Sequence, residues 1–529
     1  MSRPLQTFHG GIHPEQQKGQ TRAVPLQPYP HPGGELVIPL NQGIGSANRA
    51  VVAVGDTVRA GQRLSECFTP LSVPIHAPYD GTVTAIERRP LTHPSGISCL
   101  SVVIVPDDDT SPPAPTTDLP ASTSSASLDA LLATLSTETL IERIRMGGII
   151  GLGGAGFPTA TKIRKGEAQN IETLIINGME CEPYITCDDR LMQDHSDEII
   201  RGIEVLNQLL KPTEILLGIE DNKPEAIAAM QRAATASSAR IEVVSCPTCY
   251  PSGGEKQLIQ ILTGKEVPSG GFPHQLAILC QNVATVYAIY HAIEERPLTQ
   301  RSVTISGDGV AQPGNFHVAI GTPIRPLLES CGLTDQPVSV TVGGPMMGFP
   351  LKNLESSITK TVNCLIVNKS ATSPSQNSPL NCIRCAACSD ACPVSLLPQQ
   401  LYWATQARNF DEAQSLHLFD CIECGCCSYV CPSYLPLVDY YRHAKGTVRN
   451  QQREQVKADH ARNRHEFRDA RLQREKEEKA KKLAAKKAAL KAKKANESRA
   501  QHESSAVEAD KKATIQAAID RAKARKAAL

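Results

Sequence analysis

Eight of the 18 cysteines in this 529-residue chain fall in two runs of identical spacing. Cys382, Cys385, Cys388 and Cys392, followed by Pro393, recur as Cys421, Cys424, Cys427 and Cys431, followed by Pro432. In the pattern C-x2-C-x2-C-x3-C-P the first three thiolates wrap one [4Fe-4S] cubane from a tight loop, and the fourth reaches a neighbouring cluster. Duplication therefore predicts crossed ligand sets. Cys382, Cys385, Cys388 and Cys431 serve one cluster; Cys421, Cys424, Cys427 and Cys392 serve the other. Four thiolates could also hold structural zinc, which needs neither the third cysteine at this spacing nor the proline. Cys426 is out of phase and reads as a bystander, and the helical stretch Pro398 to Leu416 brings the two quartets together.

A chain of this length exceeds a single core and divides into several domains. The start, Met1 to Gly11, has no charged segment leading into an apolar core, so no export signal is expected, and cysteines in a reducing compartment favour metal over disulfides. The longest apolar runs, such as Leu276 to Leu279, are too short to cross a bilayer. A membrane role would be peripheral. The net charge of +1 hides an asymmetry: residues 447–529 hold 24 Lys/Arg against 12 Asp/Glu, so the rest of the chain is acidic.

After an N-terminal extension (1–34), residues 35–106 alternate apolar and polar positions between the turns Gly55-Asp56, Ala60-Gly61, Tyr79-Asp80-Gly81 and Pro94-Ser95-Gly96, as a small β domain would. Residues 107–127, rich in Ser, Thr, Pro and Asp, read as a linker. From 128 to 298 a helical pattern over Leu128 to Met146 precedes the loop Gly151-x-Gly153-Gly154-x-Gly156. Strand-like runs follow at Thr173 to Ile176, Glu214 to Ile219 and Ile241 to Val244, which together predict an α/β domain with a parallel sheet. Residues 299–355 predict a small mixed domain, with strands at Val303 to Val310 and Val338 to Val342 around a helix at Ile324 to Cys331. A linker (356–379) leads to the cysteine-dense domain (380–445). Residues 446–529, lacking Gly and Pro beyond Gly446, predict a long solvated helix. A basic tail can bind anionic lipid or nucleic acid, but its interspersed acids and scarce aromatics favour a solvated helix over both.

Alone, the glycine loop is a weak signal. It supplies backbone N–H groups, a helix start at Pro158-Thr159 and a cation at Lys162, as phosphate binding requires, but neither a Walker lysine nor a preceding Rossmann strand. Its companions make it specific. Gly151 to Thr159, Asn177-Gly178-Met179-Glu180-Cys181-Glu182-Pro183, Tyr250-Pro251-Ser252-Gly253-Gly254-Glu255 and Gln281-Asn282-Val283-Ala284-Thr285 resemble, in order, the FMN- and NADH-binding subunit of respiratory complex I. The resemblance implies that Gly153, Gly154, Gly156 and Lys162 face flavin phosphate or nicotinamide dinucleotide. Asn177, Glu180, Glu182, Glu255, Asn282 and Thr285 would line the pocket. Met179 departs from that family's aspartate.

The segments Val54 to Leu64 and His76 to Val83 resemble the lipoyl and biotinyl carrier sandwich, without a carrier lysine in Pro70 to Pro74. The domain after Thr299 resembles the β-grasp (SLBB) module, and the cysteine runs resemble two-cluster bacterial ferredoxins. One chain combining these parts is similar to the RnfC/RsxC family of Rnf (Rsx) ion-translocating electron-transport complexes, over nearly residues 1 to 446. The implied architecture is multidomain α/β and α+β: lipoyl-like sandwich, complex-I-type FMN/NADH domain, β-grasp domain, ferredoxin domain and helical tail.

The implied activity is that of an oxidoreductase within a translocase. Electrons would pass between NAD(H) and ferredoxin-type carriers through FMN and two [4Fe-4S] clusters, in either direction. The chain would sit peripherally at the cytoplasmic face of the bacterial inner membrane, beside the complex's other subunits. No catalytic side chain is singled out. Two readings stay open beside it: a non-catalytic iron-sulfur relay or docking subunit with a vestigial flavin pocket, and a free-standing soluble flavin and iron-sulfur reductase. Cys246-x-x-Cys249 lacks a second pair and reads as structural; Cys181, Cys187, Cys280, Cys331 and Cys364 read as packed thiols. His9, His13 and His31 are too scattered for a metal site.

Overall fold

The computed structural model describes residues 3–29, 33–107, 125–154, 156–334, 338–369 and 378–526, which form two units, Met1–Lys445 and Gly446–Leu529. Most of the linker expected at 107–127 lies outside the described residues, as does His31.

The first domain is a β sandwich. Strands Leu36–Pro39, Ser98–Pro106, Gly81–Pro90 and Thr57–Val58 make one antiparallel sheet in that order, and Arg49–Ala50 pairs with Ser65–Glu66. Alternation decides which faces pack: Leu36, Ile38, Val83, Val102 and Ile104 bury fully beside Leu64 and Ile75.

The helical pattern over Leu128 to Met146 is two helices, Ser125–Thr134 and Thr137–Met146. Ser136 ends the continuity because its side chain caps the second helix, accepting from Thr139 N. Four parallel strands then form a sheet in the order Ile241–Cys246, Glu214–Glu220, Thr173–Gly178, Ile278–Asn282. Helices cover both faces, as long apolar strands require. Helices Ser196–Leu210 and Val283–Ile293 approach so closely that a Cβ on Gly202 would stand 2.1 Å from the Val286 carbonyl oxygen.

The β-grasp domain is a six-stranded sheet, Leu26–Pro28, Gly314–Ala319, Gln300–Ser306, Cys364–Asn368, Ser339–Val342 and Phe349–Pro350, with helix Ile324–Ser330 in its core. Two expected boundaries give way here. The stretch 356–379 is not simply a linker: Cys364–Asn368 is an inner strand, because the apolar run Cys364-Leu365-Ile366-Val367 buries on both sides. Buried Lys360 donates to the carbonyls of Pro74 and Gly148, at 3.0 and 2.7 Å. Nor is 1–34 separate. Leu26–Pro28 adds a parallel edge strand, and Arg3 bridges Glu214 and Glu242 on the α/β sheet at 2.6 and 3.1 Å.

In the cysteine domain, helices Pro398–Gln406 and Phe410–Ser415 fill the space between the quartets, packing Leu401, Tyr402 and Ala413 into the core. The final helix runs Leu437–Lys526; from Asn450 onward its described residues are almost all exposed.

Candidate functional site

The parallel sheet steps outward from Thr173–Gly178 to Glu214–Glu220 and Ile241–Cys246, then returns to the other side with Ile278–Asn282. Open α/β sheets bind ligands beyond the carboxyl ends of the strands at such a reversal. Asn177 and Asn282 occupy those two ends, side by side in register. The glycine loop closes over them. A Cβ on Gly153 would lie 3.1 Å from that of Asn282, whereas one on Gly154 (φ +134°) would meet nothing within 4 Å.

Lys162 donates to Glu255 Oε1 and to the Cys280 carbonyl, each at 2.6 Å. Asn177 Nδ2 donates to the Gly253 carbonyl at 2.9 Å, which fixes the second glycine loop against the first strand. Helices starting at Thr159, Glu255 and Val283 begin at this end of the sheet, and the first two carry no side-chain cap. Their first-turn N–H groups and dipoles favour an anion. An open glycine face, an amine, two amides and uncapped helix starts fit a phosphate-bearing group such as a flavin mononucleotide.

Not every expected residue joins this arrangement. Thr285 is fully buried behind the loop, its Oγ1 accepting from Leu152 N at 2.9 Å, and so positions the glycines. Gly156 (φ +62°) packs against Thr361 and Gly43 rather than onto the open face. Glu180 turns to the start of helix Cys187–Asp194, accepting from Asp188 N and Asp189 N at 2.7 and 3.1 Å. Burial pushes its carboxyl up to about 7, against the pull of Lys18. Glu182 points elsewhere again. Its Oε1 accepts from Met346 N and Met347 N at 2.7 and 2.9 Å, so close to Gly344 that a Cβ there would overlap the Glu182 side chain.

Sequence reasoning missed the groups beneath the loop. Asn282 Nδ2 donates to Asp188 Oδ2 at 2.7 Å, and burial raises Asp188, opposed chiefly by Arg301. Lys18 donates to the Glu180 carbonyl at 2.5 Å; Lys223 joins Glu220 at 2.6 Å and the Met179 carbonyl at 2.8 Å, with both amines buried. Buried charges need such partners. Lys18 and Glu180 lie 162 positions apart, so no local pattern announces the pair. Buried Gln281 leaves its Nε2 without a partner among the described residues. Met179, where an aspartate was expected, packs into the apolar layer between the sheet and helix Glu255–Thr263.

The two cysteine runs fold alike. Arg384, Ala386 and Ser395 take left-handed φ values of 59°, 65° and 52°, and their counterparts Glu423, Gly425 and Tyr434 take 59°, 82° and 53°. Each run turns its first three cysteines around a loop and enters a four-residue helix, Ala387–Asp390 or Cys426–Tyr429. Cys392, Cys421, Cys424 and Cys427 line one small apolar cavity with Leu401, Val438 and Tyr441. The remaining thiols group separately: Cys388 feels the charges of Cys431 and Cys385, and Tyr402 those of Cys382 and Cys431. Four thiols around one apolar cavity are a donor set for a thiolate-ligated cluster. Cys385 is the exposed member, and Cys426 is buried beside Cys424.

The sulfur domain is tied to the glycine loops. Tyr250, which opens the second loop, donates its hydroxyl to the Cys424 carbonyl at 2.7 Å. Met346, held by Glu182, packs on Gly425. From the N-terminal segment, His9 Nδ1 lies 2.9 Å from the Cys392 carbonyl, and Gly11 N donates to the Ala391 carbonyl at 3.1 Å. Cys249 packs its thiol between Gly11 and the carbonyls of Ile12 and Tyr250, and Cys246 is buried at the end of its strand. Burial pushes the Cys246 thiol up to about 12, and both cysteines are free.

Family models match each part: an RnfC barrel sandwich hybrid domain at residues 6–109, a Nuo51 FMN-binding domain at 144–291, an SLBB domain at 302–350 and a 4Fe-4S dicluster domain at 375–432. A relative from Pectobacterium carotovorum subsp. carotovorum (strain PC1), named as the C subunit of an ion-translocating oxidoreductase complex, is 48% identical over 472 residues, covering 89% of this chain and 61% of its own length. One of the same name from Yersinia pestis bv. Antiqua (strain Antiqua) is 47% identical over 473 residues, covering 89% and 74%. A chain of an air-oxidised NAD+-reducing [NiFe]-hydrogenase crystal structure is 20% identical, with a TM-score of 0.43 over 54% of this chain and 58% of that one. The chain spans about three fifths of the length of the Pectobacterium relative. At this identity over 89% of its length, the chain belongs to the family formed by the C subunits of ion-translocating oxidoreductase complexes.

Proposed function

We propose that this chain is the peripheral electron-entry subunit of a membrane-bound complex that couples electron transfer between NAD(H) and ferredoxin-type carriers to ion translocation. No described helix is long and apolar enough to cross a membrane, so anchorage would come from the other subunits, at the cytoplasmic face of the inner membrane. The observation that carries the reading is the shared wall between the glycine loops and the cysteine domain: Tyr250 begins the loop that ends in Glu255 and also bonds the Cys424 backbone.

In this reading Gly153, Gly154 and Lys162 hold the phosphate of FMN, while Asn177, Glu255 and Asn282 orient its ring system. Bound flavin would supply the conversion between two-electron hydride transfer and one-electron transfer, which iron-sulfur clusters cannot perform. The protein's own share is positional. Thr285 and Arg301 clamp the amide and carbonyl of Leu152 at 2.9 and 2.6 Å, so the glycine loop keeps its shape. The ligand sets are proposed to cross: Cys382, Cys385, Cys388 and Cys431 on one cluster, and Cys421, Cys424, Cys427 and Cys392 on the other. The apolar lining of the second set would keep water from its cluster.

Anaerobic purification with analysis of iron, sulfide, zinc and released flavin, followed by EPR after NADH addition, tests the reading. About eight iron and one flavin per chain, with clusters reduced by NADH alone, are expected from two [4Fe-4S] clusters and one FMN. Iron without flavin would leave an iron-sulfur relay, and zinc in place of iron would overturn the assignment.

A further inference from the structure

A cavity of about 380 Å³ lies beside the glycine loop, with Leu152 in its wall. Its walls come from three domains: Ala60 and Gly61 of the sandwich, the face Ala284, Tyr287, Ala288 and His291 of helix Val283–Ile293, and Arg296 to Ser302 with His317 of the β-grasp side. None of the residues assigned to flavin lines it.

The cavity wall is cationic and short of partners. Arg301 is 3% exposed and has no carboxylate at ion-pair distance among the described residues, Asp188 acting on it only at longer range. One of its nitrogens donates to the Leu152 carbonyl at 2.6 Å, and its Nε has no hydrogen-bond partner among the described residues. Arg296 pairs with Glu294 through Nη2, lies over the Tyr290 ring at 5.8 Å, and leaves Nε and Nη1 without hydrogen-bond partners among them. His317, 6% exposed, likewise has none among them at Nε2. The single acid on the lining, Glu295, is exposed and pairs with Arg143 at 2.9 Å. A buried guanidinium without a paired counter-charge is costly, and carboxylates match its fork geometry. The wall also carries the polar groups of Thr299, Gln300, Ser302 and His291, and an apolar and aromatic part made by Leu152, Leu191, Ala284, Ala288 and Leu298, with the Tyr287 ring stacked over His317 at 6.4 Å and 19°.

We propose that this cavity is a binding site for a small aromatic carboxylate, the acid meeting Arg301 and Arg296 and the ring lying among Tyr287, His317 and the alanine face of the helix. The volume is at the lower end of the roughly 300–1,000 Å³ of small-molecule sites, so it takes one or two rings. The site does not depend on flavin being bound.

Titration calorimetry on the full-length, cluster-loaded protein tests it with benzoate and 2-naphthoate, and with 2-naphthylmethanol as the neutral control. Saturable one-to-one binding of an acid, at least tenfold tighter than the alcohol, is expected. Arg301→Gln should weaken the acid by at least tenfold while leaving the alcohol unchanged. Ala60→Trp, an exposed change at the mouth that keeps every charge, should exclude both. Absence of binding by both acids, equal affinity for acid and alcohol, or undiminished binding to A60W would overturn the proposal.

Discussion

His317 shows how much a single buried group decides. It lies among His195, His291 and Tyr287, and burial, reinforced by the neighbouring histidines, holds its imidazole at about 3. The folded-state pKa is thus below the ordinary 6.5, so between those values the unfolded chain binds a proton that the folded chain refuses. Stability must fall as pH drops below about 6.5, by about 2 kcal/mol at pH 5 from this group. Urea titrations at pH 7 and pH 5 should show His317→Asn losing less stability on acidification than the parent. A parent whose stability is flat over that window would contradict the assignment. Tyr250 offers a second test. Its phenol is buried, donates to the Cys424 carbonyl and lies beside the Glu182 carboxylate, and Tyr250→Phe would remove that donor at a cost of about 1–3 kcal/mol. Equal urea midpoints for parent and Y250F would show that the bond contributes nothing.

Elements were legible where a local pattern defines them. The eight cysteines stood out because covalent geometry forces their spacing, and three of the four parallel strands appeared as bounded apolar runs. Ile278–Asn282 did not: five residues between a short 3-10 turn and a helix carry too little pattern to distinguish strand from helix. Cys364–Asn368 was lost in a stretch whose composition suggests a linker. Of the residues expected at the site, Gly153, Gly154, Lys162, Asn177, Glu255 and Asn282 lie at the glycine loops and the strand ends, while the side chains of Glu180, Glu182 and Thr285 and the backbone of Gly156 turn to capping, positioning or packing. Lys18, Asp188 and Arg301 were invisible because their partners are distant in the chain. At this scale the helix crossing at Gly202 is the sharpest test. Gly202→Val should push helix Ser196–Leu210 off helix Val283–Ile293 and cost upwards of about 3 kcal/mol, beyond ordinary overpacking, because the obstacle is backbone. Thermal unfolding checks it; an unchanged midpoint would mean that the helices separate freely.

Across the Met1–Lys445 unit, the N-terminal segment is the common thread. Arg3 reaches the α/β sheet, Ile12 pairs with Tyr250, Lys18 enters the charged layer under the loop, and Leu26–Pro28 extends the β-grasp sheet. Removing residues 3–12 takes away the cover over Ala391 and Cys392 and uncovers the Tyr250 edge. The shortened protein, prepared anaerobically, should lose its iron to a chelator several-fold faster than the full chain, with little change in flavin content. Equal rates would show that the segment does not shield the cluster domain.

That segment also imposes a timetable on biosynthesis. A ribosome emits His9 hundreds of residues before Cys392, the two lying 383 positions apart, so the contact between them cannot form until the cysteine loops have emerged. Residues around His9, made early, are therefore among the last to settle. Until they do, the Cys392 loop stands uncovered, leaving a window in which iron and sulfide can be delivered before the His9 segment shuts the door.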